Sequence, residues 1–158
     1  MSASIGPVLR NQWRRFSTKP GGRWLFSRAL GRMVPYTGSI RAQVQILEPG
    51  HCTVTLRDRR RVRNHLRSVH AIALANLGEM ATGLALMNSL PDQCRGILTG
   101  LDIQYLKKAR GLLTAVCRCD IPASNSEQEC TVMCNIHDTG NETVASVRAR
   151  WLIGPDGT

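Results

Sequence analysis

Three polar residues near the start of a long apolar segment could carry chemistry: Asn64, His70 and Glu79. The segment, residues 69–90, contains no other charged residue. An unpaired carboxylate buried among apolar side chains costs several kcal/mol, so Glu79 is expected either to have a partner or to take part in a reaction. Asn64 and His70 also have simpler interpretations, as a turn residue and as a first-turn helix residue. Glu79 could likewise form a structural ion pair with an arginine such as Arg110.

The composition indicates one globular domain with an anionic partner. The chain has 158 residues, of which 42% are hydrophobic and 20% charged, enough for a core that buries about two-thirds of the unfolded surface. The formal net charge of +10 comes mostly from arginine, whose planar guanidinium suits phosphate or carboxylate. Nucleic acid, anionic lipid and phosphorylated cofactors all fit this charge. Specific recognition of nucleic acid is not expected, because only 4% of the residues are aromatic and no recognition-helix pattern is present.

The amino-terminal region is predicted to be a basic arm, residues 1–23, followed by a single domain, residues 24–158. No acidic residue precedes Glu48, a pattern shared by organelle transit peptides and basic surface helices. Residues 1–22 are expected to be loose. Residues 24–34 are predicted to form an amphipathic helix that ends before a proline and packs on the domain. Its apolar positions are Phe26, Ala29, Leu30, Met33 and Val34.

Beyond Pro35 the apolar period changes to two, which is typical of strands. Residues 42–46 and 52–57 alternate between apolar and polar side chains and are joined by the turn 48–51, so they are predicted to form a hairpin. Four more strands are predicted after residue 90, at 96–106, 112–120, 129–137 and 142–153.

Residues 69–90 are apolar on nearly all sides, which indicates a helix buried in a core or a membrane. A membrane span is not expected, because a carboxylate near the bilayer centre costs about 2.5–3.5 kcal/mol. We therefore expect an α+β fold in which a curved antiparallel sheet wraps a long helix. Gly78 and Gly83 would let the strands approach the helix axis closely, and Ser68 is expected to cap its amino end.

The six cysteines are expected to be reduced, buried thiols, because no hydrophobic signal segment precedes them. Cys117 with Cys119 and Cys130 with Cys134 could in principle hold zinc. Neither pair has the C-x-x-C spacing that lets two sulfurs converge on one ion. No metal site is predicted.

The spacing of the three polar residues resembles that of the hotdog-fold thioesterases, in particular the phenylacetic-acid-pathway and 4-hydroxybenzoyl-CoA thioesterase groups. His70 follows Asn64 by six residues and precedes Glu79 by nine. The resemblance extends over about residues 36–153. It implies a hotdog fold, a homodimer or tetramer, and an acyl thioester of coenzyme A or of acyl carrier protein as substrate. Coenzyme A would enter as part of the substrate, and no other cofactor is implied.

The sequence also departs from the family pattern. Those enzymes begin the helix with His-Gly-Gly, whereas glycine is replaced here by Ala71 and Ile72, and the side chain of Ile72 is expected to crowd a substrate carbonyl. Residues 35–36 and 101–106, together with the block 64–79, look like an uncharacterised bacterial branch of the superfamily that would be described only as thioesterase-like.

The resemblance and the chemistry of helix termini together suggest a role for each residue. The Ala71 amide, alone or with the Ile72 amide, lies at the positive end of the helix dipole and would polarise the thioester carbonyl and hold the oxyanion. Glu79 would reach that carbonyl from the partner subunit, as a general base on water or as a nucleophile. Asn64 would orient the water or the carboxylate, and His70 would fix the loop or contact the thioester. Thr99 is a weaker candidate for positioning water.

Basic residues on two loops are predicted to hold the phosphates of coenzyme A or the acidic surface of acyl carrier protein. The alternative is a solvated charged loop. The predicted contacts are Arg60, Arg61, Arg63, Lys107, Lys108 and Arg110.

Two rival functions remain open. One is a non-catalytic module that binds acyl-CoA, or another partner, without turnover. The other is a hydratase or dehydratase on the same fold, although the paired histidine and acidic motifs of such enzymes are missing. The expected location is the cytoplasm, or the mitochondrial matrix if the protein is eukaryotic.

Overall fold

A computed structural model describes residues 4–156, in which six antiparallel strands pack on one long helix. The strand order in the sheet is β1-β2-β4-β5-β6-β3, and the long helix α4 contacts every strand. The elements in chain order are α1 (Ile5–Phe16), α2 (Gly22–Met33), α3 (Pro35–Ser39), β1 (Gln43–Glu48), β2 (His51–Arg57), a 3₁₀ turn (Arg60–Val62), α4 (Ala71–Met87), β3 (Cys94–Tyr105), β4 (Leu112–Arg118), β5 (Gln128–His137) and β6 (Thr143–Pro155).

Helix α4 is the centre of the core, as the apolar run predicted. Nearly all of its residues after Ala73 are buried. A Cβ on Gly78 would lie 2.5 Å from Val147 Cγ2, so β6 approaches the helix at a distance that only glycine permits. Among residues 4–156, no helix has both the length and the apolar character needed to cross a bilayer.

The predicted amino-terminal cap of α4 is wrong. His70, not Ser68, occupies the cap position, and its ring Nδ1 accepts a hydrogen bond from the Ile72 amide at 3.1 Å. The Ser68 side chain is buried and donates instead to Asn64 Oδ1 at 3.1 Å. Because the Ser68 hydroxyl is bonded to Asn64 within the same loop, it does not cap the helix, and the His70 ring accepts the hydrogen bond from the first turn instead.

All six predicted strands are present, with ends that shift by two residues or fewer. The β1–β2 turn uses Gly50 at φ +68°, where a Cβ would meet Cys119 O at 2.6 Å. The core side chains of β6 alternate as predicted and are Ala145, Val147, Ala149, Trp151 and Ile153. Alternation placed these strands correctly because each has one face against α4.

The cysteines pack in the sheet. Cys52, Cys117 and Cys134 are partners across the adjacent strands β2, β4 and β5, and all three are buried. Burial raises the pKa of each of these thiols, to about 12 for Cys134. All six cysteines are free, and no cluster of potential metal ligands occurs within residues 4–156.

The expectation of a loose amino-terminal segment is wrong for Ile5–Phe16, which form helix α1. Leu9 is only 1% exposed, and Arg10 donates to the Asn88 and Leu90 carbonyl oxygens at 3.1 and 3.0 Å. The segment was expected to be loose because its many arginines conceal its apolar stripe. Residues 1–3 of the predicted arm lie outside the described residues.

The helix predicted at residues 24–34 is confirmed as α2, which ends at Met33 before the proline. Phe26 and Leu30 enter the core, and the Phe26 ring meets the Trp13 ring of α1 edge to face at a centroid distance of 5.1 Å. The buried stripe is narrower than predicted, because Met33 and Val34 are exposed where the chain turns into α3.

Candidate functional site

Glu79 lies in the middle of α4 and is half-buried. Within residues 4–156, no cationic side chain forms an ion pair with it, and the alternative partner Arg110 instead donates to the Leu66 carbonyl oxygen at 3.3 Å. Burial raises the pKa of the Glu79 carboxyl above its ordinary value. The side chain is therefore a desolvated carboxylate without a compensating charge.

The Glu79 carboxylate belongs to an apolar cleft of about 120 Å³, here called the Glu79 cleft, between α4 and the amino-terminal helices. Its lining residues are Ile5, Leu9, Leu30, Val34, Thr37, Glu79, Met80, Gly83, Leu84, Met87 and Trp151. Thr37 and Glu79 are the two with polar side-chain oxygens. A low-polarity wall around a carboxylate favours its protonated form and makes its ionised form a stronger base.

The first turn of α4 leaves two backbone amides, those of Ala71 and Ala73, without a hydrogen-bond acceptor among the described residues. The Ile72 amide is held by the His70 ring, whereas the Ala71 amide has no acceptor in the helix because it belongs to the first turn. The Ala71 carbonyl oxygen accepts a hydrogen bond from the Tyr105 hydroxyl of β3 at 3.0 Å. Sequence reasoning missed Tyr105, and only the strand register brings it to this helix end. The Ile72 side chain is 54% exposed.

The Asn64 side chain organises its own loop. Its Oδ1 accepts hydrogen bonds from the Leu66 amide at 2.9 Å and from the Ser68 amide at 3.2 Å, in addition to the Ser68 hydroxyl. This is the turn role that the simpler interpretation gave it. The side-chain amide nitrogen is the group left to meet a ligand, and it can only donate.

Glu79 and Ala71 are far apart within one chain. They lie eight residues apart on α4, which corresponds to about 12 Å along the helix axis. A substrate carbonyl has to be within about 3 Å of an oxyanion donor. One copy of the chain therefore does not bring both groups to the same carbonyl.

Thr99 is the extra residue at a β-bulge in β3, between Leu98 and Gly100. Its hydroxyl donates to the Arg150 carbonyl oxygen of β6 at 3.1 Å. The side chain is exposed and does not line the Glu79 cleft. Bulges of this kind redirect a side chain at a sheet edge.

The two basic loops lie next to each other. The Val69 amide donates to the Ala109 carbonyl oxygen at 2.8 Å, and the Gly111 amide donates to Asp58 Oδ2 at 3.2 Å. Although burial acts to raise the pKa of Asp58, the hydrogen bonds from Arg63 and the Gly111 amide hold it below its ordinary value.

Two of the six predicted cations already have carboxylate partners. Arg63 pairs with Asp58 at 2.6 Å, and Lys107 pairs with Asp138 at 2.9 Å and also with Glu142. The remaining four are exposed and form no ion pair with the described residues; they are Arg60, Arg61, Lys108 and Arg110. An open groove of about 420 Å³ beside the start of α4 is lined by Arg61, Arg63 and His70 among others.

Residues 22–153 match the sequence profile of a family described as Domain of unknown function (DUF4442). The chain belongs to this family. No protein of curated function matches this DUF4442 protein in sequence.

Solved structures resemble the DUF4442 protein over most of its length. The structure described as genomics APC5556 is 29% identical, covers 94% of this chain and 99% of its own, and has a TM-score of 0.80. A Pseudomonas aeruginosa protein, PA5026, described as of unknown function and a probable thioesterase, is 18% identical, with coverage of 82% and 93% and a TM-score of 0.74.

A third similar structure is the Escherichia coli PaaI protein from the phenylacetic acid degradation operon. It is 16% identical, covers 91% of this chain and 94% of its own, and has a TM-score of 0.67. These similarities confirm the hotdog fold, a six-stranded antiparallel sheet packed on a central helix. The DUF4442 protein is thus structurally related, at a distance, to thioesterases.

Proposed function

We propose that this protein hydrolyses an acyl thioester of coenzyme A or of acyl carrier protein, with Glu79 as the acting carboxylate. The observation that carries the proposal is the placement of Glu79, half-buried in an apolar cleft with a raised pKa and no cationic partner among the described residues. The description of the P. aeruginosa relative as a probable thioesterase supports it.

The desolvated carboxylate suits two routes. As a general base, Glu79 takes a proton from water while the water oxygen bonds to the thioester carbonyl carbon; the C–S bond then breaks and the thiolate leaves with that proton. As a nucleophile, Glu79 bonds to the carbonyl carbon, expels the thiolate and forms a mixed anhydride that water cleaves. In both routes the Ala71 amide stabilises the oxyanion that forms on the carbonyl oxygen.

The site is completed by a second copy of the chain in this proposal, in a homodimer or tetramer. The roughly 12 Å between Glu79 and Ala71 along α4 requires the amide of one protomer to meet the carboxylate of its partner. Strand β3 supports such an assembly, because it lies at the edge of the sheet with exposed apolar side chains at Ile97 and Tyr105. A long, apolar edge strand is a template for pairing with another strand.

The phosphates of coenzyme A, or the acidic surface of acyl carrier protein, would bind the exposed cations Arg60, Arg61, Lys108 and Arg110. Their guanidinium and ammonium groups are free of carboxylates within the described residues. Arg63 would hold the loop through Asp58 and contribute charge. The free cysteines, four of the six buried, agree with action in the cytoplasm, or in the mitochondrial matrix of a eukaryote.

A non-catalytic acyl-CoA-binding role is the second candidate, and one observation favours it. The His70 ring occupies the Ile72 amide and the His70 amide donates to the Val62 carbonyl oxygen, so neither amide adjacent to Ala71 is free to donate beside it. Two converging donors are the common arrangement of an oxyanion hole.

The test is the substitution Glu79→Gln, assayed by thiol release from a panel of acyl-CoA thioesters and by calorimetric binding of the same compounds. We expect turnover to be lost and binding to be retained, because the amide has the shape of the carboxylate without its basicity. Glu129→Gln makes the same chemical change at an exposed position on β5 and should leave both unchanged. Equal turnover by Glu79→Gln and the unmodified protein would remove Glu79 from the reaction. Binding without turnover by the unmodified protein would favour the non-catalytic role.

A further inference from the structure

Helix α1 forms part of the wall of the Glu79 cleft, although it lies outside residues 22–153 that match the family. We propose that the Glu79 cleft is the acyl-binding subsite, that it accepts a short aliphatic acyl group of about five carbon atoms, and that α1 sets this limit. The inference rests on the proposed thioester hydrolysis and deepens it by naming the substrate class.

The lining of the cleft fits a hydrocarbon chain. Apart from Thr37, Glu79 and the indole N–H of Trp151, which has no hydrogen-bond partner among the described residues, its side-chain groups are aliphatic, thioether or aromatic. No cationic residue lines it, so a carboxylate or phosphate at the far end of the acyl group would be buried without a partner. An unsubstituted alkyl group has no polar group to desolvate when it enters the cleft, and its binding free energy improves by about 0.8 kcal/mol for each methylene removed from water.

One face of α4 directs the acyl chain away from the carboxylate. Glu79, Gly83 and Met87 follow one another at intervals of four residues and therefore lie along the same face of the helix. A Cβ on Gly83 would lie 3.0 Å from Trp151 Cη2 and 3.9 Å from Glu79 Oε1. The absence of a side chain at Gly83 thus lets the Trp151 ring pack directly on the helix next to the carboxylate, where it forms the wall along which the first carbons of an acyl group would lie.

Helix α1 packs against the carboxyl-terminal end of the α4 face that carries Glu79, Gly83 and Met87. A Cβ on Gly6 would lie 2.8 Å from the Met87 carbonyl oxygen, so the two helices are in close contact. The Ser4 hydroxyl donates to the Cys94 carbonyl oxygen at 2.8 Å, and Arg10 is bonded to the chain that follows α4. These contacts fix Ile5 and Leu9 in the cleft wall.

The volume of the cleft limits the size of the acyl group. A cavity of about 150 Å³ in another protein holds one benzene molecule, which has six carbon atoms. By proportion, the 120 Å³ of the Glu79 cleft holds roughly five carbon atoms. Butyryl and hexanoyl thioesters are therefore expected to fit, whereas octanoyl and longer chains are too large while Leu9 and Ile5 keep their side chains.

The experiment measures kcat/KM for straight-chain acyl-CoA thioesters from two to twelve carbons, with benzoyl-CoA as an aromatic probe. For the unmodified protein we expect a maximum at butyryl- or hexanoyl-CoA and a loss of about tenfold or more for octanoyl-CoA. Leu9→Ala removes three carbon atoms from the wall and should move the maximum to longer chains, raising the octanoyl-to-butyryl ratio by at least about tenfold. Ile5→Ala, at a half-buried position, should act in the same direction. Val8→Ala is the matched control, because Val8 is on the same helix but is exposed and outside the cleft.

The outcomes separate this inference from the proposed function. Turnover that depends on Glu79, with the same chain-length profile in Ile5→Ala and Val8→Ala, would overturn the acyl subsite and leave the hydrolase intact. A preference for benzoyl-CoA over all straight chains would also overturn the aliphatic assignment. If no thioester is hydrolysed, the same series is measured as calorimetric affinity: a shift towards longer chains in Ile5→Ala or Leu9→Ala supports the subsite, and affinity independent of chain length refutes it.

Discussion

Substituting Ala71 with proline tests the oxyanion donor without removing a side chain from the cleft. Ala71 is the first residue of α4, a position at which proline is favoured because its missing N–H would have no helical acceptor. His70 is already extended, with φ −65° and ψ 142°, as a residue before proline must be. The Ala71 carbonyl oxygen, which accepts from Tyr105, is unaffected. We therefore expect Ala71→Pro to fold with nearly unchanged thermal stability.

Turnover by Ala71→Pro should fall by about 10²- to 10³-fold in kcat, the usual effect of losing one oxyanion donor. The neighbouring Ile72 amide is held by His70 and does not compensate for the loss. Ala71→Ser keeps the amide and is the matched control. Thiol release from butyryl-CoA and thermal melting are the measurements. Normal turnover by a correctly folded Ala71→Pro protein would show that this amide does not bind the carbonyl.

The same variant tests whether the site is shared between subunits. Ala71→Pro and Glu79→Gln homodimers should each be nearly inactive. After dissociation and reassembly in equal amounts, half of the dimers pair an intact amide with an intact carboxylate at one of two sites, so about a quarter of normal activity should return. Absence of recovery, with mixed dimers demonstrated by a tag, would refute a site built from two protomers.

Four further substitutions test other parts of the reasoning. His70→Ala should lower stability by about 1 kcal/mol through loss of the helix cap, visible as a fall of roughly 2–4 °C in Tm, whereas His70→Asn should restore it; a large loss of turnover in a stable His70→Asn protein would instead show that the ring acts on the substrate. Because the folded-state pKa of Glu79 is raised, the unmodified protein loses stability as the pH rises from the ordinary pKa of 4.5 through the raised pKa. Glu79→Gln should therefore have a higher Tm than the unmodified protein at pH 7 and the same Tm below pH 4.5. Equal Tm values at every pH would contradict the desolvation of the carboxylate. Gly78→Ala should lower stability by roughly 1–2 kcal/mol, because the cost of overpacking against Val147 exceeds the gain of about 1 kcal/mol in helix propensity. A raised Tm would show that β6 can move away from the helix to make room for the methyl group. Replacing Arg60 and Arg61 together by alanine should raise KM for acyl-CoA and weaken its dependence on salt, whereas Lys107→Ala should leave both unchanged because Asp138 and Glu142 hold the ammonium; equal effects of the two changes would contradict the proposed contacts.

The sheet and the central helix could be predicted because their patterns are local and strong. Each strand has one face towards α4, so apolar residues recur at every second position and mark both the strand and its buried face. Helix α4 has the opposite signature, apolar on all sides, because strands and helices surround it. Neither pattern depends on knowing which strand pairs with which.

Helix α1 was missed although a signal was present. Ile5, Leu9, Trp13 and Phe16 recur at helical spacing, and all four are buried or pack against the core. Pro7 is compatible with this helix because it lies in the first turn. The acid-free, arginine-rich composition favoured a loose arm over that stripe, and composition was the weaker guide.

At the candidate site, residue spacing predicts positions along the helix but not the hydrogen-bond partners of the side chains. Spacing placed His70, Ala71 and Glu79 correctly along α4, since positions on one helix follow from residue number alone. It could not predict that the His70 ring would take the Ile72 amide or that Asn64 Oδ1 would be saturated within its loop. Those choices depend on the path of the loop between β2 and α4, and through them both side chains hold the start of the helix in place.

The strongest physical argument concerns Glu79, because burying its carboxylate costs desolvation free energy that no ion pair among the described residues offsets. Its neighbours one turn away, Ala75 and Gly83, are too small to shield or bind the carboxylate, and the cleft beside it offers no cation. A glutamine would fit the same space without the desolvation cost of a charge. Positions that break the local rules of stability are expected where function requires them. Among the described residues Glu79 has no ion-pair partner, which is the arrangement that the proposed reaction requires of its carboxylate.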